Sequence, residues 1–390
     1  MTHVIKTDEE AVEVARDLAR DFAQGAARRD AERILPVAEI AALSESGLLG
    51  ITVPAAHGGA GVRTATLGAV IRLLSAADGS IGQIPQNHFW YVDSIREHGT
   101  PAQQAFFYAE VLRGRQLGNA AVDGRGPDGT RERARLRPHD EGFLISGRKI
   151  YSTGALFAHW IPVIALDADD LHHTAFVPRD TPGLTVVDDW DGIGQRTTAS
   201  GTVVLEDVYV PADRVMPGRR DGVSTFRSFG LLIHAAIDTG IAEGALADAA
   251  AFLRGYTKGG WPGNEATKVV EDPVVVQRFG ELAVLTRAAR ALLESAGDAI
   301  DRARANPLES VVDEAAVAMA AARAQADRAA LRVTSEWYEL AGASAALRPL
   351  NLDRHWRNAR THTVHDPRRA KVHDVGNYHL NGIAPRSFPR

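Results

Sequence analysis

Two stretches of helical periodicity enclose one of alternating, glycine-punctuated sequence, and that order is the strongest constraint on the fold. From about Ser224 onward, apolar residues recur every three or four positions. The spacing predicts a long helix over Phe229 to Leu253, a second over Pro273 to Ala305 and a third over Ser310 to Leu340. A fourth, between Leu350 and Thr363, completes a bundle. The third is rich in alanine, and small residues at that density let helices approach closely, inside a bundle or between subunits.

The N-terminal stretch is helical in the same way. Val12, Ala15, Leu18, Ala19 and Phe22 recur at helical spacing within Asp8 to Ser46, and Pro36 opens a second helix there. Gly47 to Val53 reads as a short apolar strand, followed by the glycine-rich turn Gly58-Gly59-Ala60-Gly61. That turn fits the spacing of neither a dinucleotide fingerprint nor a P-loop. Thr64 to Ala77 reads as helix, Asp78-Gly79-Ser80 breaks it, a further helix carries Asn87-His88-Phe89-Trp90-Tyr91, and Pro101 starts another that runs to about Leu112.

At Gly118 the texture changes. Phe143 to Thr153 reads as strand, turn, strand. Trp160 to Leu166, Thr174 to Pro178, Leu184 to Val187 and Ser200 to Val210 read as single strands, and Pro211 and Pro217 close the block. Short strands with regular turn signals make a small β-barrel or sandwich. The expected architecture is α+β and multidomain: a helical N-terminal domain over 1–117, a small β-barrel over 118–218, and a four-helix bundle with a tail over 219–390.

Composition narrows the function. The 390 residues are 45% hydrophobic, enough for large cores, and carry a net charge of -5. That balance gives no electrostatic case for nucleic acid or an acidic membrane. With no cysteine, disulfides, thiolate catalysis, iron–sulfur clusters and cysteine-ligated zinc are excluded. The N-terminus lacks an apolar signal core and no apolar run is long enough to span a bilayer, so a cytoplasmic protein is expected.

The densest chemistry lies in Asp353 to Pro367, which holds three arginines, three histidines and Trp356. His362 and His365 are three apart and share a face if helical, and Pro367 is expected to stop that helix at Asp366. Imidazoles at a helix end beside arginines suit proton handling next to an anionic group. A solvated helix end stapled by Arg–Asp pairs is the plain alternative. Metal ligation by His362, His365 and Asp366 lacks a supporting glutamate–histidine pair on another helix, so no metal is expected.

The layout resembles the acyl-CoA dehydrogenase superfamily, and local segments carry the likeness. Gly47 to Pro54 with Gly58, Gly59 and Gly61 resembles that family's early glycine-rich turn, and Phe143 to Thr153 resembles the strands leading to its flavin-contacting segment. Dehydrogenases of the family need a carboxylate base of raised pKa. The two positions where the family keeps it read Val364-His365-Asp366-Pro367 and Phe229-Gly230-Leu231-Leu232 here, with no glutamate. The family's segments for holding an adenylate are replaced by Thr257 to Pro262 and Glu339 to Ser344, which implies FMN, with FAD as the alternative. Arg354 to Asn381, Tyr151 to Trp160 and Asp189 to Arg196 resemble the flavin-dependent monooxygenase branch, typified by dibenzothiophene monooxygenase and the sulfur-acquisition oxidoreductases.

What that resemblance implies is a monooxygenase fed with reduced FMN by a separate NAD(P)H:flavin reductase, acting with O2 on a small organosulfur molecule. It also implies a homotetramer. The branch's catalytic histidines map onto His362 and His365, whose ordinary pKa of about 6.5 suits a proton step near neutrality. Ser152 and Thr153 are expected at the flavin ring edge, Tyr151 against the ring or in the barrel core, and Asn119 nearby. Lys258 and Arg360 are the basic candidates for the phosphate. His88, Trp190 and Phe229 are candidates for the substrate wall, with a buried structural role open for His88 and a barrel-edge role for Trp190. The competing activities are an acyl-CoA dehydrogenase with its base moved to Glu243 or Glu339, and an N-oxygenase of the same fold.

Overall fold

A computed structural model describes residues 2–125, 129–218, 222–256 and 268–385. Seven helices come first: α1 Asp8–Ala23, α2 Ala26–Glu32, α3 Val37–Glu45, α4 Thr64–Ala77, α5 Gly79–Gln83, α6 Gln86–His98 and α7 Pro101–Leu112. Their ends follow local chemistry. Thr7 caps α1 by accepting from Glu10 N–H, and Thr100 and Gln103 form a capping box ahead of Pro101. Asp78 ends α4 and then caps α5, accepting from Ser80 and Ile81 N–H. The expected strand after Gly47 is instead a 3-10 turn, Leu48–Gly50, buried against the helices. Gly47 enters it at φ 84°, and its apolar residues find helices rather than a neighbouring strand to pack on.

The middle of the chain forms β1 Val122–Arg125, β2 Arg131–Glu132, β3 Arg135–His139, β4 Gly142–Ile150, β5 Trp160–Leu166, β6 His172–Pro178, β7 Leu184–Val187, β8 Thr202–Pro211 and β9 Val215–Pro217. The strand order is β2-β1-β4-β3-β5-β6-β9, with β8 joining β4 to β7. The expected turn at Ser146-Gly147 does not form. β4 runs through it, and Gly147 at φ 147° takes up a bulge in the pairing with β8. Ile145, Ile161, Val163, Val177, Val203 and Val208 fill the interior of this domain.

The remainder is helical: α8 Phe226–Gly255, α9 Pro273–Ala305, α10 Glu309–Glu336, α11 Tyr338–Ala341, α12 Arg354–His362 and α13 Arg368–Asn381. The N-terminal helices and this bundle share one core. Leu67, Val70, Ile71 and Leu74 of α4 pack with Leu232, Ile233 and Ile237 of α8 and Leu293 and Ile300 of α9. Glycine makes the α4–α8 contact possible. A Cβ on Gly240 would lie 2.4 Å from the Arg72 carbonyl oxygen, and one on Gly244 2.3 Å from that of Ala76. Among the described residues α8 is the one helix long and apolar enough to cross a membrane, yet 78% of its most apolar window is buried inside the fold.

Candidate active site

α12 ends at His362, four residues before the expected stop at Asp366; its last helical bond is Thr363 N–H to the Ala359 carbonyl, after which His365 N–H turns to the His362 carbonyl. The basic run therefore divides its labour. Its first half is an anchor. His355 Nε2 bonds Asp248 of α8 at 2.8 Å, Arg354 pairs with the same carboxylate at 2.5 Å, and Arg357 pairs with Asp30 of α2 at 2.6 Å. Asp248 titrates at about 2: burial alone would raise it, but His355 and Arg354 hold it down.

The second half meets α8 end-on. His362 has no exposed surface, and its Nδ1 lies 2.6 Å from Asp238 Oδ1. The other oxygen of Asp238 pairs with buried Arg323 of α10. Burial alone would raise the Asp238 pKa, but the charges of His362 and Arg323 and their hydrogen bonds keep it low and the group ionised. An ionised carboxylate only accepts, so His362 Nδ1 carries a hydrogen. On its far side His362 Nε2 lies 3.0 Å from Nδ1 of His234, on α8. His365, past the helix end, donates from Nδ1 to the His362 carbonyl at 2.8 Å. Its ring centroid is 5.2 Å from that of His362 and 5.5 Å from that of His234. Burial and the neighbouring imidazoles push both His234 and His365 below the usual histidine pKa, His365 to about 4, where its hydrogen bond to the His362 carbonyl works the other way.

The structure thus brings His362 and His365 together, though the second is not on the helix. It adds three residues the sequence reasoning passed over: His234, Asp238 and Arg323. Their signal was available. His234 and Asp238 are one turn apart in the otherwise apolar start of α8, and a carboxylate in such a run needs a partner.

A second group of residues lies at the mouth of the barrel. Tyr151 has φ 55° and an exposed ring, set edge-on to Trp190 with centroids 6.2 Å apart, so it is not a barrel-core aromatic. Asn119 holds that backbone: its amide donates to the Tyr151 carbonyl at 3.2 Å, and it accepts from the Tyr91 hydroxyl at 3.1 Å. The Thr153 hydroxyl is bonded to Ser200 at 2.6 Å, and Ser200 to Thr198 at 2.7 Å. Ser152 differs. It is fully buried and its hydroxyl has no partner among the described residues. Trp190 donates from its indole to the Gln195 carbonyl at 2.8 Å, which folds it over its own loop at the barrel edge.

Two wall candidates sit elsewhere. His88 has no exposed surface. It accepts from Leu117 N–H at Nδ1 (3.1 Å) and donates from Nε2 to the Leu49 carbonyl (2.8 Å), and burial takes its pKa to about 4. Both nitrogens are spent on backbone, so His88 ties two loops together rather than facing a substrate. Phe229 lies under the Arg304 guanidinium, 4.6 Å from the ring centroid. It lines a cavity of about 410 Å³ with Val92, Asp93, Arg96 and Asp301, and none of the three clustered imidazoles reaches that cavity. Arg360 is half-buried and its charge acts on buried Asp327. Lys258 lies outside the described residues. Neither relocated base is free to act: Glu243 is paired with Arg72, and Glu339 is an exposed surface residue 3.4 Å from Arg278.

Helices, a small barrel and a helical bundle, with the polar clusters so placed, define the class: the chain belongs to the acyl-CoA dehydrogenase family. Residues 6–115, 124–208 and 232–367 match that family's N-terminal, middle and C-terminal domains. The similar proteins include monooxygenases and, at 26% identity, a short-chain specific acyl-CoA dehydrogenase of Bos taurus. The chain is 31% identical over 385 residues to a probable FMNH2-dependent monooxygenase, SfnC, of Pseudomonas putida, with 96% of both chains covered. Among solved structures, methanesulfinate monooxygenase MsuC from Pseudomonas fluorescens superposes with a TM-score of 0.88 at 32% identity, over 96% of this chain and 98% of that one. FMN-bound TdsC from Paenibacillus sp. A11-2, a dibenzothiophene monooxygenase, gives 0.88 at 31% over the same shares. The barrel mouth fits such a ring. An isoalloxazine edge offers both N–H and C=O groups, and either satisfies the unpartnered Ser152 hydroxyl.

Proposed function

We propose that this chain is a flavin-dependent monooxygenase that takes reduced FMN from a separate NAD(P)H:flavin reductase and uses O2 to oxygenate a small organosulfur compound, serving sulfur acquisition. It works as a cytoplasmic homotetramer. The observation that carries the reading is the imidazole cluster on Asp238, in a chain whose candidate glutamate bases are either ion-paired or on the surface. A dehydrogenase needs a free carboxylate to take a carbon-bound proton; an oxygenase needs groups that pass a proton to and from oxygen, which neutral imidazoles do with one donor and one acceptor nitrogen each.

Bound reduced FMN supplies the two electrons with which O2 is activated. Ser152 Oγ and the Thr153 segment would hold the ring, Asn119 would fix the backbone that presents it by its bond to the Tyr151 carbonyl, and Tyr151 and Trp190 would bind beside it. Arg360 and Lys258 are assigned to the phosphate. His365 Nε2 would be the nitrogen available to exchange a proton with the reacting group, because its Nδ1 is already committed to the His362 carbonyl.

The test is His365→Ala. The variant folds and binds FMN but forms little product, and its reductant appears as hydrogen peroxide. Undiminished product per reduced flavin, with a panel of sulfides and sulfones, removes His365 from the mechanism.

A further inference from the structure

We propose that Asp238, His362 and His234 form a proton relay, with His234 the positioning residue through which a proton enters and leaves. The inference rests on the monooxygenase reading for its purpose and on geometry for its direction. Asp238 is pinned by Arg323 and accepts from His362 Nδ1. When His362 is neutral it presents a bare Nε2, and the 3.0 Å contact then places the hydrogen on His234 Nδ1. The one uncommitted nitrogen of this line is His234 Nε2. Asp238 and His362 have no exposed surface, while His234 keeps some.

A proton arriving at His234 Nε2 forms an N–H bond there. The N–H bond at His234 Nδ1 breaks, and its proton forms a new bond at His362 Nε2. His234 ends neutral in its other tautomer, and His362 ends as an imidazolium against the Asp238 carboxylate. Reversal returns one proton to the site. The charge rests on His362 because the carboxylate is there. It does not rest on His234, which is faced by His362 of α12, His365 beyond it, Arg323 of α10 and Lys371 of α13. The acidic groups around the cluster include Asp238, Asp327 on α10 and Asp366, which pairs with Lys371 at 2.7 Å. The backbone serves the same end. His365 hangs from the His362 carbonyl, so any shift of His362 moves both imidazoles.

Two measurements decide this. Long-range nitrogen–proton NMR of the flavin-free protein reads the tautomers directly. The relay requires His362 with its hydrogen on Nδ1 and His234 with its hydrogen on Nδ1 at neutral pH. Hydrogen on His362 Nε2 with Nδ1 bare overturns it. The second is His234→Gln, whose amide still donates to His362 but cannot pass a proton on. It should keep the melting temperature and the FMN-induced thermal shift, yet lose product per reduced flavin by on the order of a hundredfold. Parental product yield in His234→Gln means the ring only packs, and overturns the proposal. The NMR measurement needs no flavin, so failure of the oxygenase reading and failure of the relay are told apart.

Discussion

Ser152 and Thr153 are neighbours with opposite accounts of themselves. The Thr153 hydroxyl is bonded to Ser200, while the Ser152 hydroxyl is buried with nothing to bond among the described residues. An unsatisfied buried hydroxyl costs stability, and replacing it with a methyl-sized apolar group removes that cost. Ser152→Ala should therefore leave the flavin-free protein unchanged or more stable by up to about 1 kcal/mol, while weakening FMN by several-fold. A denaturation curve and an FMN titration check both halves; a destabilised variant with unchanged affinity contradicts the assignment. His88 gives a pH prediction. Its folded pKa is about 4 against an ordinary 6.5. Between those values the unfolded chain holds a proton that the native one does not, so stability is full above 6.5 and is lost as pH falls toward 4. The loss from this one ring is on the order of 3 kcal/mol. Urea midpoints that stay flat across that window would show that His88 is not held neutral. The sequence showed His362 and His365 because they stand in a polar run. It hid His234 and Asp238 because an apolar helix is read by its majority, and what they bond to lies far along the chain, at Arg323 and His362.

α8 shows how one element serves two purposes. Its apolar faces make it the centre of the bundle, and Gly240 and Gly244, one turn apart, let α4 lie against its backbone. The same helix then presents His234 and Asp238 at fixed spacing. Gly240→Val should lose about 1 to 3 kcal/mol by overpacking against the Arg72 carbonyl. Gly280 in α9 has nothing near the place of a Cβ, so Gly280→Ala should gain about 0.5 to 1 kcal/mol from helix propensity alone. Thermal unfolding of the pair checks the contrast, and a loss at Gly280 would refute the steric account. Long helices were legible because their period persists over many turns. α12 was legible only in part: it stops at His362, and the proline that marks a stop comes later. The segment after Gly47 was misread because an apolar run of that length suits a strand or a buried turn equally, and only its neighbours decide.

At the scale of the molecule, the N-terminal helices and the bundle are not separable bodies, since α4, α8 and α9 share one interior. The β domain keeps its own. Alternation and turn residues made that division readable, whereas contacts between the first and last helices left no mark on either stretch alone. α9 also carries exposed Val274, Val276, Val284 and Leu292. That apolar surface supports assembly into a homotetramer. Light scattering should give a mass near four chains, and a value near 41.9 kDa would rule that out. The clasp of α12 onto α2 and α8 has a temporal consequence. During synthesis, the barrel mouth and His234 leave the ribosome well before His362 and its anchors Arg354, His355 and Arg357. An incomplete polypeptide thus lacks both His362 and the residues that dock its helix. The imidazoles come together only once α12 has clasped α2 and α8, so the site is among the last parts of the molecule to be assembled.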